Sequence, residues 1–179
     1  MFYIEKDSKI LLFDEDKQKL QNTITFMPQY EGLEIQEVEE GYVIYDFELM
    51  TVEEMNEQLL LKAKNKKYEE NTCLAKLAVE NGYVVFKDAQ FETNAQTVGD
   101  LTATMLMLQA QQDPNAIYMW LSKDDQVVEL TVGDFGTLGG LIAEYKNTIW
   151  QEKYITYKTQ IEQAQTVEAV NKINLDYTL

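Results

Sequence analysis

The sequence predicts an α+β protein with a small N-terminal β-rich unit, a long connecting helix and a C-terminal module. That module is expected to hold two β-hairpins, a packed helix and a long C-terminal helix. Three observations carry the prediction. Residues 83–86 with 91–93, and 118–121 with 127–130, are short runs rich in β-branched and aromatic residues. Each pair leads into the same four residues, Thr97-Val98-Gly99-Asp100 and Thr131-Val132-Gly133-Asp134, which read as a helix start. A third such start, Thr51-Val52-Glu53-Glu54, opens a run of helical character that persists to Glu80.

Taken in order, residues 2–5 and 9–13 flank the polar Lys6-Asp7-Ser8 and predict a hairpin. Residues 14–23 are polar around Leu20 and predict a short surface helix. Leu33, Ile35 and Val38 give another β run, followed by a turn at Glu39-Glu40-Gly41. Residues 42–47 alternate with period two and predict one further strand. Residues 1–49 would then form a thin-cored attachment unit. The helix from Thr51 places Met55 and Leu59, and later Cys73 and Leu77, on one apolar stripe with a wet stretch between. Residues 50–72 are therefore expected to connect the first unit to a module at 73–179, and Asn81-Gly82 to close the helix as a left-handed cap. In the module, Val98, Leu101, Met105 and Leu108 define an amphipathic helix over 100–112 that stops at Asp113-Pro114-Asn115. Residues 123–126 read as a hairpin turn. A long helix then runs from Asp134 through Leu138, Ile142, Tyr145 and Ile149 toward Ile161, with Gly136, Gly139 and Gly140 available for close backbone packing. Thr166-Val167 opens a closing helix, and the four Thr-Val dipeptides read as recurrent caps rather than a structural repeat.

Composition narrows the function classes. At 179 residues and 45% hydrophobic content the chain can bury a sizeable core. A net charge of −16 repels phosphate backbones and anionic lipid, so neither nucleic acid nor membrane is expected as a partner. The start of the chain lacks a signal-peptide pattern, and no apolar run approaches a membrane span. Cys73, the single cysteine, excludes an internal disulfide, fits cytoplasmic synthesis, and is expected to be buried among Leu74, Leu77 and Ala78.

The chain has no histidine, which removes the commonest general base and metal ligand. Asp14-Glu15-Asp16 lacks the glycine and the bidentate glutamate of a calcium loop, and Asp124-Asp125 reads as a solvated turn rather than an acid pair. No catalytic residue, cofactor or metal is expected. Trp120 is expected to anchor the core. Trp150, Tyr154 and Tyr157 recur at helical spacing, offset from the stripe that ends at Ile149. A helix apolar on two faces either lies in the core or docks a partner, and these three aromatics are the candidate partner contacts.

The span 71–177 resembles a bacteriophage and prophage tail-associated domain of unknown function, found at the C-terminus of tail-fibre-associated and tail-fibre-assembly proteins. The likeness rests on Phe91-Glu92-Thr93-Asn94 before a helix, and on Trp120 with the Asp124-Asp125 turn and Val128-Glu129-Leu130-Thr131. Leu138 and Leu141 in a long helix, with Lys158, Ile161 and residues 164–169 closing the module, complete it. The chain departs from the usual pattern in its longer turn after the first helix and its lysine-rich, acidic composition. The resemblance implies a non-enzymatic structural protein of the virion tail, made in the bacterial host cytoplasm. Its partners would be other phage tail proteins, and it would be a homo-oligomer or ring-associated. An assembly chaperone absent from the finished particle and a host glycan-binding module are the alternatives.

Overall fold

The computed structural model describes residues 1–30, 32–111, 113 and 116–179, and the chain divides into two units, Met1–Lys62 and Ala63–Leu179. The fold is α+β, with small antiparallel sheets and helices in the arrangement the sequence predicts.

In the first unit, β1 (Phe2–Lys6) and β2 (Lys9–Asp14) form the expected hairpin, and β3 (Ile35–Glu37) pairs with the other edge of β1. The helix α1 (Lys17–Phe26) starts three residues later than the polar run suggests, because the Asp16 carboxylate accepts from the Gln18 and Lys19 amides and caps it. Residues 42–47 do not form one strand. The chain turns at Asp46-Phe47, so β4 (Tyr42–Tyr45) pairs back on β5 (Glu48–Thr51). Both turn residues adopt positive φ, 54° and 66°, the geometry that matches strand twist in a two-residue loop. No glycine marks this turn; Phe47 is held instead by an edge-to-face contact with Phe13 at 5.4 Å. The core of this unit is thin, as expected: Tyr3, Ile10 and Ile44 with Val38 against them.

The helix α2 (Val52–Asn81) opens at a capping box: the Thr51 hydroxyl accepts from the Glu54 amide, and the Glu54 carboxylate accepts from the Thr51 amide at 2.8 Å. Its buried positions near the far end are Asn71 and Ala75, not Cys73 and Leu77, which are exposed. Cys73 is thus a surface thiol, contrary to expectation. The helix is rotated so that Asn71 and the small Ala75 face inward, where a hydrogen-bonded amide and a short side chain fit.

No left-handed cap ends α2, since neither Asn81 nor Gly82 has positive φ. Side chains close its last turn instead. The Tyr145 hydroxyl donates to the Ala78 carbonyl at 3.0 Å, Thr93 Oγ1 to Val79 at 2.7 Å, and Lys123 Nζ to Asn81 at 3.0 Å. These caps come from three distant elements, which leaves the chain free to turn at once into a strand.

In the second unit, β6 (Tyr83–Phe86) and β7 (Ala89–Glu92) form one hairpin, and β8 (Ile117–Leu121) and β9 (Val127–Thr131) another. The helices α3 (Ala95–Ala110) and α4 (Val132–Asn147) follow them. The two Thr-Val-Gly-Asp segments behave differently. Thr131 caps α4 in a full capping box with Asp134. Thr97 lies inside α3, because Asn94 caps the helix three residues earlier by accepting from the Thr97 amide at 2.8 Å. Of the expected stop to α3, Pro114 and Asn115, like the expected last helical residue Gln112, lie outside the described residues.

The core joins Phe91, Leu101, Leu108, Leu130, Phe135 and Leu138, with Val98, Met105 and Trp120 packed against them. Gly136, Gly139 and Gly140 have open space where a Cβ would stand, so no close backbone approach explains them. Beyond α4 the helical path continues through a π segment, Thr148–Tyr154, into α5 (Ile155–Gln163), and α6 (Val167–Asn171) begins at its expected Thr166 cap.

Candidate functional site

The π segment decides the roles of Trp150, Tyr154 and Tyr157. A π turn holds about one residue more than an α turn, so it rotates the following side chains back relative to those before it. Tyr145 and Ile149, and then Trp150, Tyr154 and Tyr157, consequently pack into one cluster with Ala75 and Tyr177. The two apolar faces expected from α periodicity are a single face. Trp150 meets Tyr154 edge-to-face at 5.3 Å, and Tyr157 meets Tyr177 at 5.5 Å. The Tyr157 hydroxyl donates to the Asp176 carbonyl at 2.8 Å. These aromatics hold the C-terminal segment against α2, and all three are half-buried by contacts within the chain.

Asn71 and Tyr177 form the polar centre of this cluster. The Tyr177 hydroxyl donates to Asn71 Oδ1 at 2.6 Å, and Asn71 Nδ2 donates to the Tyr154 carbonyl at 3.3 Å. Burial pushes the Tyr177 phenol up to about 12 from its ordinary 10.0. The neutral phenol is therefore favoured by folding. That stabilisation is complete below pH 10, and is lost as pH rises from there through about 12. Tyr177→Phe is expected to lose about 1–3 kcal/mol at neutral pH, because Asn71 Oδ1 is left buried without a donor. Its urea midpoint should also fall less steeply than the parent's between pH 10 and 12. Parallel slopes in the two proteins would refute the assignment.

Two of the acidic residues that the sequence brings forward, Asp124 and Asp134, serve the scaffold. Asp124 accepts from Ser122 Oγ at 2.6 Å, the Gln90 amide at 3.0 Å and Gln126 Nε2 at 2.6 Å. The Ser122 hydroxyl is the largest of the influences that hold its carboxyl down at about 2. Asp134 is likewise held at about 2, first by Lys87 at 2.7 Å and then by the Thr131 cap. Both stay ionised at neutral pH with their acceptor capacity engaged, which suits neither to proton transfer. Among the described residues no group of three or more Cys, Asp or Glu side chains converges on a metal position.

Among the concave features of the described residues is a groove of about 750 Å³ between β7, β8 and α3. Its origin is the Asp124 turn. The Lys123 amide donates to the Gln90 carbonyl at 2.8 Å, joining β8's continuation to β7 at one point. Beyond that point the strands are not paired, and each sits in its own two-stranded sheet. Glu92 and residues 118–121 line the gap, and α3 closes it with Gln96, Asp100 and Ala103, one helical face of short or polar side chains.

Residues 61–178 match the model of a family described as a domain of unknown function, DUF4376. The match covers about two thirds of the chain. The chain belongs to this family. The DUF4376 span begins two residues ahead of Ala63, where the second unit starts, and so contains the groove, the aromatic cluster and both C-terminal hairpins. No curated protein and no solved structure matches the chain.

The groove went unread in the sequence because its walls are unremarkable residues. The available signal was β8 itself, five consecutive apolar residues in a strand. Such a run predicts burial on both faces, yet four of the five are exposed. Ile117, Met119 and Leu121 are 56%, 55% and 62% exposed, and Val127, opposite Leu121 on β9, is 63% exposed. Trp120 alone of the strand is half-buried, against Phe135 at 6.0 Å.

Proposed function

We propose that this DUF4376 protein is a non-enzymatic structural protein of a bacteriophage tail that works by protein–protein contact. The observation that carries the contact reading is the exposed apolar surface of β8 and β9. A strand that leaves a whole apolar face bare, here Ile117, Met119 and Leu121, is a recurrent mark of an association surface, and isolated hydrophobic exposure elsewhere is not. The tail setting rests on the resemblance of residues 71–177, through Phe91-Glu92-Thr93-Asn94, Trp120 and the long helix bearing Leu138 and Leu141. Its partners would be other tail proteins, and repeated placement in a symmetric particle would make it a ring-associated or homo-oligomeric component.

Quantitative mass spectrometry of washed particles beside infected-cell lysate tests this. A fixed copy number per particle is the expected result. Abundance in lysate together with absence from particles would replace the structural role with that of an assembly chaperone.

A further inference from the structure

The groove between β7, β8 and α3 has a hydrogen-bonding strand as one wall. The Ser122 amide donates to the Gln126 carbonyl at 2.8 Å, which fixes the parity of the β8–β9 ladder. Trp120 and Tyr118 face Val128 and Leu130 through their backbone groups, so the N–H and C=O of Ile117, Met119 and Leu121 point away from β9. Among the described residues none of these six groups has a backbone partner. The Thr93 amide donates to Gly82 at 3.1 Å, which by the same parity turns the Glu92 backbone groups away from β6 toward the gap.

The groove is also anionic. Among the described residues Glu92 accepts only from neutral donors, Asn94 Nδ2 at 3.1 Å and Thr97 Oγ1 at 3.4 Å. Asp100 accepts from Gln96 Nε2 at 2.9 Å. Neither carboxylate is in a salt bridge among the described residues. Lys123, the cation of the lining, has its Nζ on the Asn81 carbonyl and over the Tyr83 ring.

We infer that this groove binds an extended, basic segment of a partner protein, which adds a strand to the free edge of β8 and sets lysine or arginine against Glu92 and Asp100. Strand addition explains why an apolar strand is left with an open edge beside an unfilled groove, since such an edge otherwise invites indiscriminate pairing. At about 3.4 Å per residue, β8 offers roughly 17 Å of edge, enough for five residues of the partner. A net charge of −16 favours a basic occupant and opposes pairing with a second copy. The inference rests on the protein-contact reading above and not on the particle in which the contact is made.

The test passes a pool of octapeptides over the immobilised full chain. Lysine is fixed at alternate positions, and threonine, valine, serine or alanine fills the rest. Retention is expected to exceed that of a glutamate-fixed pool by about tenfold or more. A lysine pool N-methylated at alternate amides has the same charge but cannot pair with an edge, and should be retained about tenfold less. Met119→Pro removes an outward N–H without breaking the ladder to β9 and should abolish retention, while Asp100→Lys should weaken it. Equal retention of the methylated pool, or no retention of any pool, overturns the inference. The methylated pool decides the matter if Met119→Pro does not fold. Failure here leaves the particle measurement intact, and absence of the protein from particles leaves peptide retention intact, so the two readings fail separately.

Discussion

Gly82→Ala is expected to destabilise the second unit by about 3–5 kcal/mol, combining an overpacking cost with the loss of buried carbonyl partners. A Cβ on Gly82 would stand 2.5 Å from the Ala78 carbonyl oxygen, 2.5 Å from Tyr145 Oη and 2.7 Å from Thr93 Oγ1. The carbonyl belongs to the last turn of α2 and cannot swing aside. The two hydroxyls are themselves the donors that close this turn, Tyr145 to Ala78 and Thr93 to Val79. Relief of the clash therefore requires breaking the caps, and retention of the caps requires strain. Both tryptophans, Trp120 and Trp150, lie in the second unit, so their fluorescence in a urea titration reports on this unit. An unchanged midpoint for Gly82→Ala would show that the close approach does not exist. In Gly82→Ala/Tyr145→Phe one of the three close contacts is removed, and the double variant should be less destabilised than the sum of the single ones.

Phe91→Ala is expected to cost about 3–5 kcal/mol, the range for emptying an aromatic site in a packed core. Phe91 is 1% exposed and meets Phe86 edge-to-face with centroids 6.4 Å apart. It sits where the strand β7, the helices α3 and α4, and the strand β9 converge, in contact range of a single cluster that includes Leu101, Leu108, Leu130 and Leu138. Because those neighbours come from rigid elements, the cavity cannot collapse cheaply. Set against a usual total of about 5–15 kcal/mol, the loss should be visible as a large drop in the thermal midpoint. Phe91→Leu, which retains most of the volume, should lose much less. A Phe91→Ala protein that melts with the parent would contradict this packing.

Much of the fold follows from short-range patterns. The hairpins at 2–14 and 83–92 follow from β-rich runs around polar turns. The α3 stripe of Val98, Leu101, Met105 and Leu108 faces the core as its spacing requires. Thr51, Thr131 and Thr166 cap helices because their hydroxyls reach the amide three residues on, a contact that needs nothing beyond the local chain. Thr97 shows the limit of that logic. The same four residues do not start a helix when a better cap, Asn94, stands three positions earlier.

The sequence by itself determined most of the strands and helices, though not the Asp46-Phe47 turn or β5 beyond it, and the acidic charge that makes a basic partner fit. Those properties depend on side chains within a few residues of one another. Tertiary structure alone decided the rest. The π segment turns two apolar faces into one, so Trp150, Tyr154 and Tyr157 pack inward. Asn71 is buried, and Cys73 is exposed, because α2 is rotated to meet Tyr177 over a separation of more than a hundred residues. The Asp124 turn pins β8 to β7 at a single point and leaves a groove beyond it. Each of these outcomes depends on which distant groups come within hydrogen-bonding or van der Waals reach, and periodicity along one chain holds no information about that.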